Sequence, residues 1–297
     1  MARFLSAAML AMLLLSSARA SSVDDFNQGI EAHNRGDNET AISVFSRALA
    51  SGDLTKNQKR AALLDRGFAY KTKKRYVDAI ADFTSVLAID PSRIDATLER
   101  MQSYLGNEQD SLAASDCDTL IKMRPGFAAF YEECGIISWQ DGNFPRAVSY
   151  FDTGVGLGLK PSIFGLLWWE IARMRAGMPQ QAKFALLAKK LNLDGWPSPI
   201  FDLYLGKSTP DTVMAAAEKS DRPSSVPGFL HFQDYSPAPI ARTTSQDLRR
   251  CQAAFFVGEW QLLNGNIAQA LPLLNRTETY CKSWLPAKKE VARLAQK

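Results

Sequence analysis

The sequence predicts an all-α solenoid of about six helical hairpins, and three observations carry that prediction. Small and aromatic residues recur with a period of about 34 residues. Within each period the residue sizes are ordered: small side chains stand where two antiparallel helices would cross, and aromatics stand beside them on the stripe each helix buries. Proline closes the clearest copies, at Pro91 and Pro125, where a helix must stop. One hairpin cannot cover its own apolar face, so such units have to stack, and at least about three are needed for stability.

Unit 22–55 carries Gly29, Gly36, Ala41, Phe45 and Ala48 at the expected places, and the long link from Ser51 to Arg60 predicts a loose joint after it. Unit 60–93 is the clearest copy, with Gly67, Tyr70, Tyr76, Ala79, Phe83 and Pro91. Unit 94–127 keeps Tyr104, Ala113 and Pro125 but has Met101 where a small residue is usual; unit 128–161 restores Gly135, Gly142, Ala147 and Phe151. Unit 163–196 retains Gly177 and Ala182 and carries Trp168 and Trp169 where one bulky side chain is needed, so one of the two is expected to pack outward against the next segment. The last unit, 251–284, shows Gly258, Gly265 and Ala270, with Pro272 set to kink its second helix. This register is that of the tetratricopeptide repeat, and the chain resembles that family.

Between the fifth and sixth units lies an insertion, 197–250. It holds a short apolar stretch from Ile200 to Leu205, a helix capped by Thr209 with Pro210 in its first turn, and a segment rich in proline and serine from Arg222 to Ser245. Phe229, Leu230, Phe232 and Tyr235 make that last segment too apolar for a free linker. It is read as a connection draped over the solenoid or as a loop facing a partner. The predicted organisation is 1–20 as a signal, 21–196 as five repeats, 197–250 as the insertion, and 251–297 as the last repeat with a C-terminal helix.

The signal reading rests on Arg3, an apolar run from Phe4 to Leu15 and the small-x-small pattern Ala18-Arg19-Ala20, with cleavage expected after Ala20. The run is too short to span a bilayer as a helix, and no later stretch is apolar enough to do so. Retention of the segment as a loose anchor is the alternative. Ser21 follows the expected cleavage point and the first cysteine is Cys117, so a lipid cannot be attached there through sulfur. With 35 basic and 31 acidic residues, Arg3 and Arg19 among the former, the exported chain is nearly neutral and gives no reason to expect a nucleic-acid partner. A composition 46% hydrophobic and 22% charged is that of a folded protein.

Catalytic signatures are missing. The two histidines, His33 and His231, lie in different regions; no metal-ligand spacing, nucleophile elbow or phosphate-binding loop is present. His33 and the pair Glu132-Glu133 read as solvated side chains, and Lys71 with Lys73-Lys74-Arg75 as a solvated basic turn that could meet an acidic partner. No enzyme activity, metal or cofactor is expected. Four cysteines in an exported chain suggest disulfides. Of the three pairings, the register favours Cys251 with Cys281, at the start and end of one hairpin, and then Cys117 with Cys134 on stacked helices; buried free thiols are the alternative.

The order of parts resembles the NlpI-type periplasmic proteins of Gram-negative bacteria. The likeness is carried by Leu64-Asp65-Arg66-Gly67 through Pro91, by Trp196 through Tyr204-Leu205-Gly206, and by Phe256-Val257-Gly258 with Leu263-Asn264-Gly265. It implies an adaptor that brings envelope peptidases and peptidoglycan hydrolases together; the missing lipid-bearing cysteine departs from that pattern. The repeat itself implies protein binding. The first helix of each unit should line a concave face that takes a peptide or a partner helix, here through Leu64, Phe68 and Lys71, then Leu98, Gln102 and Leu105, then Glu132, Ile136 and Trp139. Two other readings stand beside the adaptor: an envelope enzyme with its site in 197–250, and a structural protein that binds copies of itself.

Overall fold

The computed structural model describes residues 22–158, 161–191, 193–219, 245–281 and 285–296, and among them every regular element is a helix. The chain forms two compact units that meet between Met123 and Arg124, inside the run of repeats rather than at the insertion. The expected signal at 1–20 and the stretch holding Phe229 to Tyr235 lie outside the described residues.

The N-terminal unit is three hairpins in succession: α1 (22–34) with α2 (Asn38–Ala50), α3 (Lys56–Thr72) with α4 (Tyr76–Ile89), and α5 (Ile94–Gly106) with α6 (Asp110–Met123). Asp37 starts α2 by accepting from the Thr40 N–H at 3.2 Å. Thr55 and Gln58 form a reciprocal capping box on α3. The joint expected to be loose is therefore pinned: α3 begins at Lys56, before the repeat boundary, and Leu54 packs on the first hairpin's core.

Inside each hairpin the size pattern has a direct physical cause. Gly29 faces the Phe45 ring and Gly67 the Phe83 ring, both rings fully buried. A Cβ added to Gly67 would sit 2.7 Å from Phe83 Cε1. Gly67→Ala should therefore destabilise the unit by about 1–3 kcal/mol through overpacking, although alanine is the better helix former by about 1 kcal/mol. Thermal melts of the two proteins check this; an unchanged midpoint would show that the ring yields freely.

A polar staple accompanies this packing and repeats from one hairpin to the next. Arg66 donates to both carboxylate oxygens of Asp82 (2.8 and 2.7 Å) and to Ser46 Oγ of the preceding hairpin (2.9 Å). One repeat later Arg100 donates to both oxygens of Asp116 (2.9 and 2.6 Å) and to Thr84 Oγ1 of the hairpin before it (3.3 Å). Bidentate geometry and burial of both carboxylates make these pairs stronger than ordinary surface bridges.

The C-terminal unit comprises α7 (Ala128–Gln140), α8 (Phe144–Gly156), α9 (Ile163–Arg175), α10 (Gln181–Lys190), α11 (Ser198–Tyr204), α12 (Pro210–Glu218), α13 (Ser245–Leu263), α14 (Ile267–Tyr280) and α15 (Leu285–Ala295). α7 and α8 form a hairpin with the same signature, Gly135 against Phe151. The centre belongs to α9 and α13, buried on every side over 164–173 and 251–259. Helices of that kind form a core rather than a surface.

Several sequence expectations are corrected here. Neither tryptophan of the fifth unit packs outward: Trp168 lies among Trp139, Phe255 and Phe256, and Trp169 donates from Nε1 to Asp152 Oδ1 of α8 at 2.9 Å. Ala182 is exposed, and Phe184 is the buried residue of α10, stacked on Phe201 at 5.6 Å. Pro272 lies inside α14, where the sequence places it, and is exposed. The described parts of the insertion are built into the core: Ile200, Phe201, Val213 and Ala217 are buried in it, and the Tyr204 hydroxyl donates to the Phe256 carbonyl at 2.8 Å. Cys251 and Cys281 are bonded, with Cα atoms 5.9 Å apart, clipping the end of α14 to α13, and none of the four cysteines is free.

Candidate functional site

The first helices of the hairpins present inner faces in both units, and these faces have different fates. In the C-terminal unit the face is covered by the chain itself. Phe255 of α13 meets Trp139 and Trp168 at ring distances of 5.9 and 5.0 Å, and Phe256 stacks on Phe164 at 6.0 Å. Arg293 of α15 sits over the Trp139 ring at 5.3 Å and donates to the Trp139 and Gln140 carbonyls at 3.2 and 3.0 Å, closing the C-terminal end of α7. Beneath them Arg175 joins the cover to its bed: it donates from Nε to Glu259 of α13 at 3.1 Å and pairs with Glu290 of α15, which also pairs with Arg293. Burial pushes the Glu259 carboxyl up to about 8, with Arg175 drawing it back and Glu290 adding to the rise. Burial likewise pushes Glu170 up to about 7 against the pull of Arg173.

In the N-terminal unit the corresponding face, formed by α1, α3 and α5, carries half-buried side chains with no helix of that unit laid across them. His33 of α1 lies 6.2 Å from the Phe68 ring of α3, and Phe68 stands edge-on to Phe83 at 5.7 Å. Lys71 reaches from α3 to α5, where it pairs with Glu99 and donates to Gln102 Oε1 at 2.6 Å, its ammonium 5.9 Å from the Phe68 ring centre. Leu64 and Leu98 flank this row and are half-buried. Asp65 shares it with no hydrogen bond or ion pair among the described residues; burial raises its pKa, with only His33 opposing. The face is thus an apolar strip, Leu64 to Phe68 and Leu98, edged by a paired lysine and a half-buried acid that meets no cation among the described residues but His33.

Residues 26–94, the first two hairpins, match the tetratricopeptide repeat family. A tetratricopeptide repeat protein from Parabacteroides merdae has 17% identity and a TM-score of 0.57, and the likeness covers 94% of this chain and all (100%) of that one. The fold is the tetratricopeptide-repeat fold. The C-terminal part of a TPR repeat-containing protein from Cytophaga hutchinsonii (15% identity, TM-score 0.49, 89% of this chain and 98% of that one) and the MamA protein (17%, 0.49, 60% and 98%) are also similar. No curated protein matches the sequence.

Set against the tetratricopeptide register, the nine expected contact residues fall into two groups. Leu64, Phe68 and Lys71 of α3 and Leu98 and Gln102 of α5 are half-buried, while Leu105 is buried at 3% exposure and belongs to packing. Ile136 and Trp139 are core, and the half-buried Glu132 accepts from the Ser162 N–H and lines a small cavity with Tyr131, Gly165 and Trp169. The register says which side of α7 is inner and not whether another helix lies on it. In the basic turn Lys73 pairs with Glu39 at 2.7 Å, Arg75 pairs with Asp78 at 2.9 Å while stacking 4.5 Å from the Tyr70 ring centre, and Lys74 is exposed. His33 is not simply solvated, since its Nδ1 is buried without a hydrogen-bond partner. Asp65 and the Arg–Asp staples were not singled out from sequence. The staples had a legible signal, an Arg and an Asp repeating at equivalent places in two successive units; Asp65 had none.

Proposed function

We propose that the protein is an exported adaptor of the cell envelope, working by docking segments of other proteins on the α1/α3/α5 face of its N-terminal unit. The observation that carries this reading is the contrast between the two inner faces. The C-terminal one already holds a helix of its own chain, whereas the N-terminal one leaves Phe68, Leu64 and Leu98 half-exposed. Export is supported by the pattern around Ala18-Arg19-Ala20 and by four cysteines of which none is free. Among the described residues no helix is long and apolar enough to cross a membrane. The NlpI-type order of parts supports envelope peptidases or peptidoglycan hydrolases as partners, and no catalytic role for this chain.

A photo-crosslinking residue placed at Leu98, followed by purification from intact envelopes, tests the reading. Defined partners should be recovered, and Phe68→Ala should reduce their yield several-fold while leaving helicity unchanged. Undiminished recovery of every partner from the Phe68→Ala protein would refute the assignment of this face.

A further inference from the structure

We propose that this face selects segments presenting a lysine or arginine, with Asp65 as the residue that receives the cation. The inference rests on the docking reading above and names the chemistry of what docks.

It follows from the charge inventory of the face. Among the described residues the cations near it are paired: Lys71 with Glu99 and Gln102, Arg66 with Asp82 and Ser46, Arg35 with Glu31. The acids are not all answered. Asp65 is half-buried beside His33, and no cation among the described residues reaches it. A desolvated carboxylate without a partner is unfavourable, and an arriving ammonium or guanidinium would remove that penalty while gaining a charge-assisted hydrogen bond. The neighbours suit such a side chain. The Phe68 ring offers apolar surface to the methylene stem of a lysine and a π face to its head, as it already does for Lys71 at 5.9 Å. An acidic segment would meet the Asp65 carboxylate and be repelled.

The C-terminal unit shows the same principle with the signs exchanged. There the bed supplies the cation, Arg175, and the helix laid on it supplies the acid, Glu259, at 3.1 Å. In that unit the covering helix answers the charge of its bed across an aromatic contact.

A phage library of random 16-mer peptides, selected on the full chain and in parallel on Asp65→Asn, tests the proposal. Peptides recovered on the native protein should be several-fold enriched in Lys or Arg beside Leu, Ile or Phe. Synthetic copies should lose about tenfold in affinity on Asp65→Asn, and a comparable factor when their cation is changed to glutamine. Phe68→Ala should weaken basic and glutamine-substituted peptides alike. If recovered peptides show no basic enrichment, or bind native and Asp65→Asn proteins equally, the charge selection is wrong; continued sensitivity to Phe68→Ala would leave the docking reading intact. If no peptide is retained, or retained peptides ignore Phe68→Ala, the docking reading fails with it. Asp65 makes no hydrogen bond or ion pair among the described residues, so Asp65→Asn should melt no lower than the native protein.

Discussion

Trp139→Ala is expected to lower the stability of the C-terminal unit by about 3–5 kcal/mol, and not to act as a binding mutation. The indole is fully buried and contacts Trp168, Phe255 and Phe144, with the Arg293 guanidinium above it. Truncation opens a cavity under α13 and removes the surface on which α15 closes. Chemical denaturation followed by tryptophan fluorescence and circular dichroism should show an early transition in the variant, with a later one for the N-terminal unit unmoved. A variant that unfolds like the native protein would mean that Trp139 is not part of the core. Any loss of partner capture by this variant would report unfolding, whereas the same loss in Phe68→Ala would report contact.

Arg175→Met should cost roughly 3–5 kcal/mol at about pH 8.5, where ionised Glu259 would be a buried carboxylate without its cation and Glu290 would keep Arg293 alone. The sign of the pH dependence follows from the raised pKa values. Folded Glu259 and Glu170 hold their protons up to about 8 and about 7, against an ordinary value of 4.5, so the folded state binds more protons than the unfolded one between those limits. Stability from these groups is fully present below about 4.5 and is lost as pH rises toward 8. The native C-terminal unit should therefore melt at higher temperature at pH 5.5 than at pH 8.5, and the Arg175→Met deficit should shrink at the lower pH as both acids become neutral. Asp37, Asp90 and Asp95, whose pKa values are lowered by hydrogen bonds and nearby cations, lose their contributions only below 3.8, outside this window. A melting point that rises with pH over the range, or a deficit independent of pH, would rule out buried protonated carboxylates at this contact.

The hairpins were legible in the sequence because their signal is local. Gly67 and Phe83 lie on two helices joined by a short turn, and the size relation between them recurs wherever the hairpin does. The fate of the inner face was not legible, because it depends on α13, which reaches α7 and α9 only through tertiary packing. One feature pointed that way: α9 is apolar nearly all round, from Phe164 through Ile171, which a helix with one open side does not require. For the same reason the register placed Phe68 and Trp139 in one class, though one is half-exposed and the other is core. The unanswered charge of Asp65 lay beyond sequence reading altogether, since it depends on the cations around it having been claimed by Asp82, Glu99 and Glu31.

The Arg66 and Arg100 staples bear on how the N-terminal unit comes apart. Each guanidinium bonds at once to its own hairpin and to the one before it, so peeling a terminal hairpin away breaks the junction hydrogen bond to Ser46 or Thr84 as well as the apolar packing. Nearest-neighbour coupling of this kind penalises partly melted states relative to both the intact stack and the fully unfolded chain. The three hairpins should accordingly be lost together in one sharp step, and a force applied at one end would meet a stiff block instead of a row of independently yielding links.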